Sequence, residues 1–212
     1  MVHSTAIIGE GVRLHASVVI EPYVVITGPC TIGEGAYVGA HTVIGAPPQH
    51  HGHYPSPLDA TDAACGVVIG AGVTIREFVT VHQGLFRATT ICAGALIMAS
   101  SHVAHDCVIG EGVTAAPFMG LGGFTTIGDD AMLGQGVVTH PWIVIGEGAM
   151  IGLNSSVIRD VEAFTKVAGA PARLLGENTM RVEGRAADWA ARDEALRVER
   201  DELVSAWRGV AC

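Results

Sequence analysis

Aliphatic residues recur along this chain at every sixth position. Ile8, Leu14, Ile20, Ile26, Ile32, Val38 and Ile44 fall on one phase, and Ile69, Ile75 and Val81 resume it after a break. After a second break the series runs Ile91, Ile97, Val103, Ile109, Ala115, Leu121, Ile127, Leu133, Thr139, Ile145, Ile151, Val157 and Ala163. Of these 23 marked positions 20 are Ile, Leu or Val, so the pattern is a true inward column. Gly directly follows the marked residue at 9, 33, 39, 45, 70, 110, 122, 128, 134, 146 and 152. A period of six matches neither the 3.6 of an amphipathic helix nor the 2 of an alternating strand. It predicts a three-sided solenoid in which each hexad supplies one short parallel strand and one corner. Gly supplies a small residue or an unusual backbone angle at the corner. Three hexads make a coil, so residues 18 apart stack about 4.8 Å from each other. The hexads make seven to eight coils. A Gly-rich sandwich is the competing all-β architecture, and the unbroken phase from 91 to 163 disfavours it.

The solenoid is expected over 1–168, with two interruptions. The first, 46–68, begins Ala46-Pro47-Pro48-Gln49-His50-His51-Gly52-His53-Tyr54-Pro55, and its Pro and Gly cannot continue a coil. A loop of this length is often functional, and His50, His51 and His53 are candidates for a metal or for a polar surface. The second, 84–90, adds four residues around Gly84-Leu85-Phe86-Arg87. It either projects Phe86 and Arg87 into a neighbouring subunit or is a bulged corner. Residues 169–212 form a C-terminal extension with a helix over about 186–208, rich in Ala, Glu, Arg and Leu. Trp189, Leu196 and Leu203 are seven apart and Trp207 extends the stripe. That stripe should cap the solenoid or pack on another subunit.

Composition narrows the function classes. The formal net charge is −9 and only 16% of residues are charged, which argues against a nucleic-acid-binding surface. A local anion site remains compatible with this charge. No apolar run reaches the length of a membrane span, and the N-terminus lacks the pattern of a secretory leader. The five Cys, at 30, 65, 92, 107 and 212, have no disulfide-framework spacing and read as small buried hydrophobes of a cytoplasmic protein.

Candidate chemistry centres on Ser100-Ser101-His102-Val103-Ala104-His105-Asp106-Cys107. Val103 points inward, so His102 and His105 flank a corner and its neighbouring wall. Histidine suits general-base work because its ordinary pKa lies near 6.5, and Asp106 can fix its tautomer. In the same register His82, Ala104, Gly122 and His140 follow one edge in successive coils, with Gln83 below His105. The edge is either a substrate groove or a solvated margin.

The repeat resembles the hexapeptide-repeat, left-handed parallel β-helix superfamily, whose familiar members are homotrimers with active sites between subunits. The left hand is an expectation from that resemblance, and it departs from the usual crossover rule. Residues 97–110, the run Ile75–Gly84 and Ile44-Gly45-Ala46-Pro47-Pro48-Gln49 resemble more closely the acyl-carrier-protein-dependent UDP-N-acetylglucosamine O-acyltransferases of lipid A synthesis, over about 1–185. The resemblance implies His105 as catalytic base with Asp106 as its acid partner, and His102 and His140 as binding histidines. It implies Gln49, Asn178 and Arg185 near a sugar nucleotide, and the Gly123 N–H as the oxyanion donor. His82 and Gln83 join the substrate-binding candidates through the shared edge.

Several positions depart from that family's pattern. The Asp-Leu-Lys-Tyr usual after the first-loop Gln is His50-His51-Gly52-His53-Tyr54 here. A family His is Phe124, a family Gln is Pro141, Met180 stands where an acid is common, and the Arg pair is Gly184-Arg185. The base is thus better preserved than the acceptor region, which implies the same reaction class with a different acceptor or acyl length. The expected reaction moves an acyl group from an acyl-carrier-protein or CoA thioester to a hydroxyl or amine of a sugar or nucleotide sugar, with no tightly bound cofactor or metal. Lys166-Val-Ala-Gly-Ala-Pro-Ala-Arg173 also resembles the tail of acetyl-CoA-dependent acetyltransferases, which would place Lys166 and Arg173 near CoA. A γ-class carbonic anhydrase-like zinc site built from His82, His102 and His105 is a further alternative, against which the three-residue histidine spacing argues. A noncatalytic scaffold is the last.

Overall fold

The computed structural model describes residues 1–49, 65–179 and 189–210. Among the described residues the six-residue pattern becomes three sheets, of eight, seven and nine strands, parallel except for the last strand of the third, wrapped around one aliphatic column in about eight turns. The eight-stranded face contains Val43–Ala46, Thr80–His82, His102–Val103, Gly120–Leu121 and Val138–Thr139. The seven-stranded face contains Thr89–Ile91, Val108–Ile109, Thr126–Ile127 and Val144–Ile145. Val81 pairs with Val103 and Val103 with Leu121, as the six-residue phase requires. All three are buried in the central column, with Ile residues such as Ile91 and Ile109 on the adjoining wall.

Two residue classes shape the corners. At most corners the third residue after an inward one adopts a left-handed backbone conformation, whether Gly, as at Gly94 (φ +68°), or not, as at Asp106 (φ +59°), Phe124 (+62°) and Trp142 (+69°). Gly at the first position after the inward residue serves mainly a different need. A Cβ at Gly128 would sit 2.5 Å from the Glu147 nitrogen of the next coil, and one at Gly122 would sit 2.6 Å from the Pro141 nitrogen. These glycines are small because consecutive coils touch there, and the unusual angle belongs to the residue two places later.

The phase breaks once more than the sequence suggests. Val161, not Ala163, takes the inward place opposite Ile145, and Val167 follows opposite Ile151. At this shortened corner the Asp160 carboxylate accepts a hydrogen bond from the Val144 amide at 2.9 Å. The antiparallel strand Arg173–Glu177 then pairs with Thr165–Ala168 at the end of the nine-stranded face.

Both insertions leave the same corner, between the eight- and seven-stranded faces: Ile44 and Ile69 flank the first, Val81 and Ile91 the second. Beyond the solenoid, the helix α1, Trp189–Val210, lies against the seven-stranded face. The expected start of this helix, 186–188, lies outside the described residues. Leu196, Leu203 and Trp207 are each partly buried on it. Its docking is also ionic: Arg192 pairs with Glu147 at 2.8 Å, and Arg197 and Arg200 both pair with Asp160 at 2.9 Å. The apolar stripe is therefore reinforced by arginines whose guanidinium heads reach carboxylates at the corners of the solenoid.

Candidate active site

His105 and Asp106 occupy the corner shared by the two insertions. The His105 Nδ1 lies 2.8 Å from Asp106 Oδ2. Asp106 is completely buried, yet its carboxylate is well supplied with donors. The backbone N–H of Leu85 donates to Oδ2 at 2.9 Å, and those of Phe86 and Arg87 donate to Oδ1 at 2.7 and 2.9 Å. Burial pushes the Asp106 pKa up, but the hydrogen bonds from His105 and from the Arg87, Leu85 and Phe86 amides outweigh it and hold the group below its ordinary value. An ionised carboxylate only accepts, so His105 must carry its proton on Nδ1. The lone pair of Nε2 is then available as a base.

The next coil lies against this imidazole. A Cβ at Gly123 would come within 2.8 Å of both Cε1 and Nε2 of His105, so only Gly leaves the ring in place. The Gly123 N–H makes no backbone hydrogen bond among the described residues. Phe124 meets the His105 ring edge-on, with centroids 5.2 Å apart. Phe124 in turn stacks on Trp142 at 3.7 Å, and Phe86 and Trp207 of α1 pack on Phe124 at 6.1 and 5.5 Å. Phe124, which stands at the position of a family His, thus joins an aromatic wall beside the base.

A second histidine pair sits on the eight-stranded face. The His82 Nδ1 donates to the Pro47 carbonyl at 2.7 Å, and the His102 Nδ1 lies 2.8 Å from the Thr80 hydroxyl. The two rings meet edge-on at 5.0 Å. Burial lowers both pKa values. Proximity to His105 adds to this for both, and proximity to His82 adds to it for His102, while the bond to Pro47 partly offsets it for His82. These are neutral histidines at neutral pH.

The structure brings His82, His102, His105, Asp106 and Gly123 together, but treats the other candidates differently. The Gln83 side chain donates to the carbonyls of Gly45, at 2.6 Å, and Gly28, at 3.2 Å, so it fastens the corner below. Gln49 is exposed at the start of the first insertion. His140 is also exposed and hydrogen-bonds the Pro141 carbonyl at 3.0 Å. Asn178 is buried, its Nδ2 donating to the Gly148 carbonyl at 2.9 Å, so it belongs to the scaffold of this chain. Lys166 and exposed Arg173 lie on the last turn, on the nine-stranded face and more than three coils along the solenoid from His105. Arg185, His50, His51 and His53 lie outside the described residues. Among the described residues no group of His, Cys, Asp or Glu side chains forms a cation site.

Reasoning from residue types missed the amide cradle of Leu85, Phe86 and Arg87. The available signal was the second break, which falls on the same corner one coil before Asp106. The Arg87 side chain does not reach outward. Its Nε donates to the Asp106 carbonyl at 2.8 Å, and the guanidinium also meets Thr126 at 2.9 Å and Glu199 at 2.7 Å.

Residues 11–46 match the family described as bacterial transferase hexapeptide (six repeats). The acyl-[acyl-carrier-protein]–UDP-N-acetylglucosamine O-acyltransferase of Chlamydia caviae is 37% identical over 210 residues, spanning 93% of this chain and 75% of that protein. The chain belongs to this acyltransferase family. The Thermodesulfovibrio yellowstonii member is 38% identical over 87% of this chain and 77% of its own length. The Caulobacter vibrioides member is 41% identical, but over only 53% of this chain and 41% of that protein. Among solved structures, the UDP-N-acetylglucosamine acyltransferase of Francisella novicida superposes with a TM-score of 0.73 at 27% identity, over 89% of this chain and 75% of that one. LpxA from Acinetobacter baumannii gives 0.71 at 28% identity, over 92% and 82%. The solenoid is accordingly the left-handed parallel β-helix of this family, and the chain is an acyltransferase of the hexapeptide-repeat superfamily.

Proposed function

We propose that the protein transfers an acyl group from an acyl-carrier-protein or CoA thioester to a hydroxyl or amine of a nucleotide sugar, with His105 as general base. The observation that carries this reading is the 2.8 Å contact of His105 Nδ1 with the buried, amide-cradled Asp106 carboxylate, which leaves Nε2 beside Gly123. Nε2 takes the proton of the acceptor nucleophile as that atom attacks the thioester carbonyl. The Gly123 N–H is the donor offered to the tetrahedral oxyanion. Collapse breaks the carbon–sulfur bond, and the leaving thiolate takes the proton from Nε2. Asp106 stays ionised throughout, stabilising the transient imidazolium. His102 and His82 position the acceptor through their remaining nitrogens, and His140 extends the edge they occupy. Gln49, at the start of the first insertion, and Arg185 are assigned to the acceptor's nucleotide end. Lys166 and Arg173 are assigned to the donor's carrier end.

The protein acts as a homotrimer, a neighbouring copy completing the cleft beside the His102 and His105 edge. The test is thiol release by purified protein with a panel of acyl-carrier-protein and CoA thioesters and nucleotide sugars. His105→Ala should lower turnover by about 10²–10⁴-fold while leaving thioester binding intact. Wild-type turnover by that variant would overturn the base assignment.

A further inference from the structure

Arg87 joins three parts of the molecule that the proposed reaction must hold in register. Its own amide donates to the Asp106 carboxylate at 2.9 Å, and its Nε donates to the carbonyl of the same residue at 2.8 Å. It therefore grips the aspartate at both ends, at a non-glycine corner in the left-handed region, where backbone sterics alone favour escape. Nη2 reaches Thr126 on the seven-stranded face at 2.9 Å. Nη1 pairs with Glu199 of α1 at 2.7 Å, across 112 positions of sequence. The Arg87 side chain is 14% exposed and that of Glu199 is 53% exposed. The arginine is thus part of the corner, and the glutamate is the helix's handle on it.

We propose that Arg87 is a positioning residue for the His105–Asp106 pair, and that Glu199 sets its grip, so that docking of α1 is transmitted to the base. This inference rests on the reading of His105 as base. The physical route is short. If the guanidinium swings away, the Asp106 carbonyl loses its donor, and the Leu85–Arg87 turn loses the side chain that pins it. The three amides then spread, and the carboxylate no longer dictates which imidazole nitrogen carries the proton. A surface ion pair contributes little stability by itself, so the expected loss is in turnover and not in folding.

The test uses the full chain and two readouts. Steady-state thiol release separates kcat from KM, and nitrogen-15 NMR of labelled histidine reports the His105 tautomer without substrate. Glu199→Ala should lower kcat by roughly 2–30-fold, the span of coupling effects transmitted through a network, with KM unchanged. Glu199→Gln keeps an acceptor oxygen and should restore most of the loss. Arg87→Met should lower kcat by about 10–100-fold, the scale of lost orienting partners, and populate the other His105 tautomer. Adding Glu199→Ala to Arg87→Met should cause no further loss, because both act through one contact. Multiplying losses in the double variant would overturn the link, as would a wild-type kcat and tautomer in Glu199→Ala. Should Arg87→Met fail to fold, the Glu199→Ala and Glu199→Gln pair decides alone. Absence of thiol release in the wild type would instead defeat the functional reading, while the tautomer measurement still tests the link.

Discussion

A carboxylate with no solvent contact is stable only when its acceptors are filled, and Asp106 meets that condition through four donors. An amide cannot replace it. Asp106→Asn would turn an NH2 group toward donors that need an acceptor, and a buried mismatch of that kind costs about 1–3 kcal/mol. The variant should unfold earlier in denaturant, and its kcat should fall by about 10²-fold or more as the His105 tautomer is released. An unchanged kcat with the expected loss of stability would confine Asp106 to a structural role. His82 and His102 make a separate prediction about pH. Their folded pKa values lie below the ordinary 6.5 because burial disfavours the charged form. Stability is then full above the unfolded value of 6.5 and declines as pH falls from there towards the lower folded values. Replacing both with Gln should flatten the dependence of Tm on pH in that window. A slope unchanged by the double replacement would place the titrating groups elsewhere. His105 and Asp106 were legible as residue types set on a corner, whereas Gly123 came only from the family resemblance. The cradle was not, because main-chain donors have no residue signature, and Arg87 is a common surface residue until its three partners are known.

At the scale of elements, the corner requires two kinds of glycine, and the difference can be tested. Gly128→Ala would drive a Cβ to 2.5 Å from the Glu147 nitrogen of the next coil. That contact is with backbone, so the coils must part, and the destabilisation should exceed about 2 kcal/mol, in the range of overpacking and backbone strain. Gly94→Ala meets nothing within 4 Å but keeps φ at +68°, so it should cost only about 1–2 kcal/mol of left-handed strain. Equal losses in urea melts would mean that the coil contact relaxes freely. The solenoid was legible because each inward residue reports itself every six positions. The slip to Val161 was not, because Ala163 preserves the phase in letters while Asp160 takes over a ladder hydrogen bond in space. The helix was legible from its leucines. Its ionic seat was not, since Arg192, Arg197 and Arg200 find their carboxylates on residues 129–160 of the solenoid.

Across the whole molecule, one chain leaves the face and corners around the histidines unusually apolar. Phe78 and Phe118 are each 59% exposed and Leu153 is 68% exposed, all near the other margin of the eight-stranded face. Val138, outward on the face itself, is also exposed. A soluble surface rarely leaves such large side chains together unless another surface covers them. The same face presents His102, whose ring is only half-buried within its own chain. A second copy laid against it would bury the aromatics and supply the missing wall of the cleft with one contact, and three copies close the arrangement by rotation. Light scattering should therefore return three times 21.9 kDa. Phe118→Asp places a charge on that face without touching His105, so it should dissociate the assembly and abolish thiol release together. The monomer should keep its circular dichroism, because Phe118 adds little to the buried column of its own chain. Retention of full turnover by a monomeric Phe118→Asp protein would show that the cleft is complete within one solenoid, and would return the exposed aromatics to another purpose.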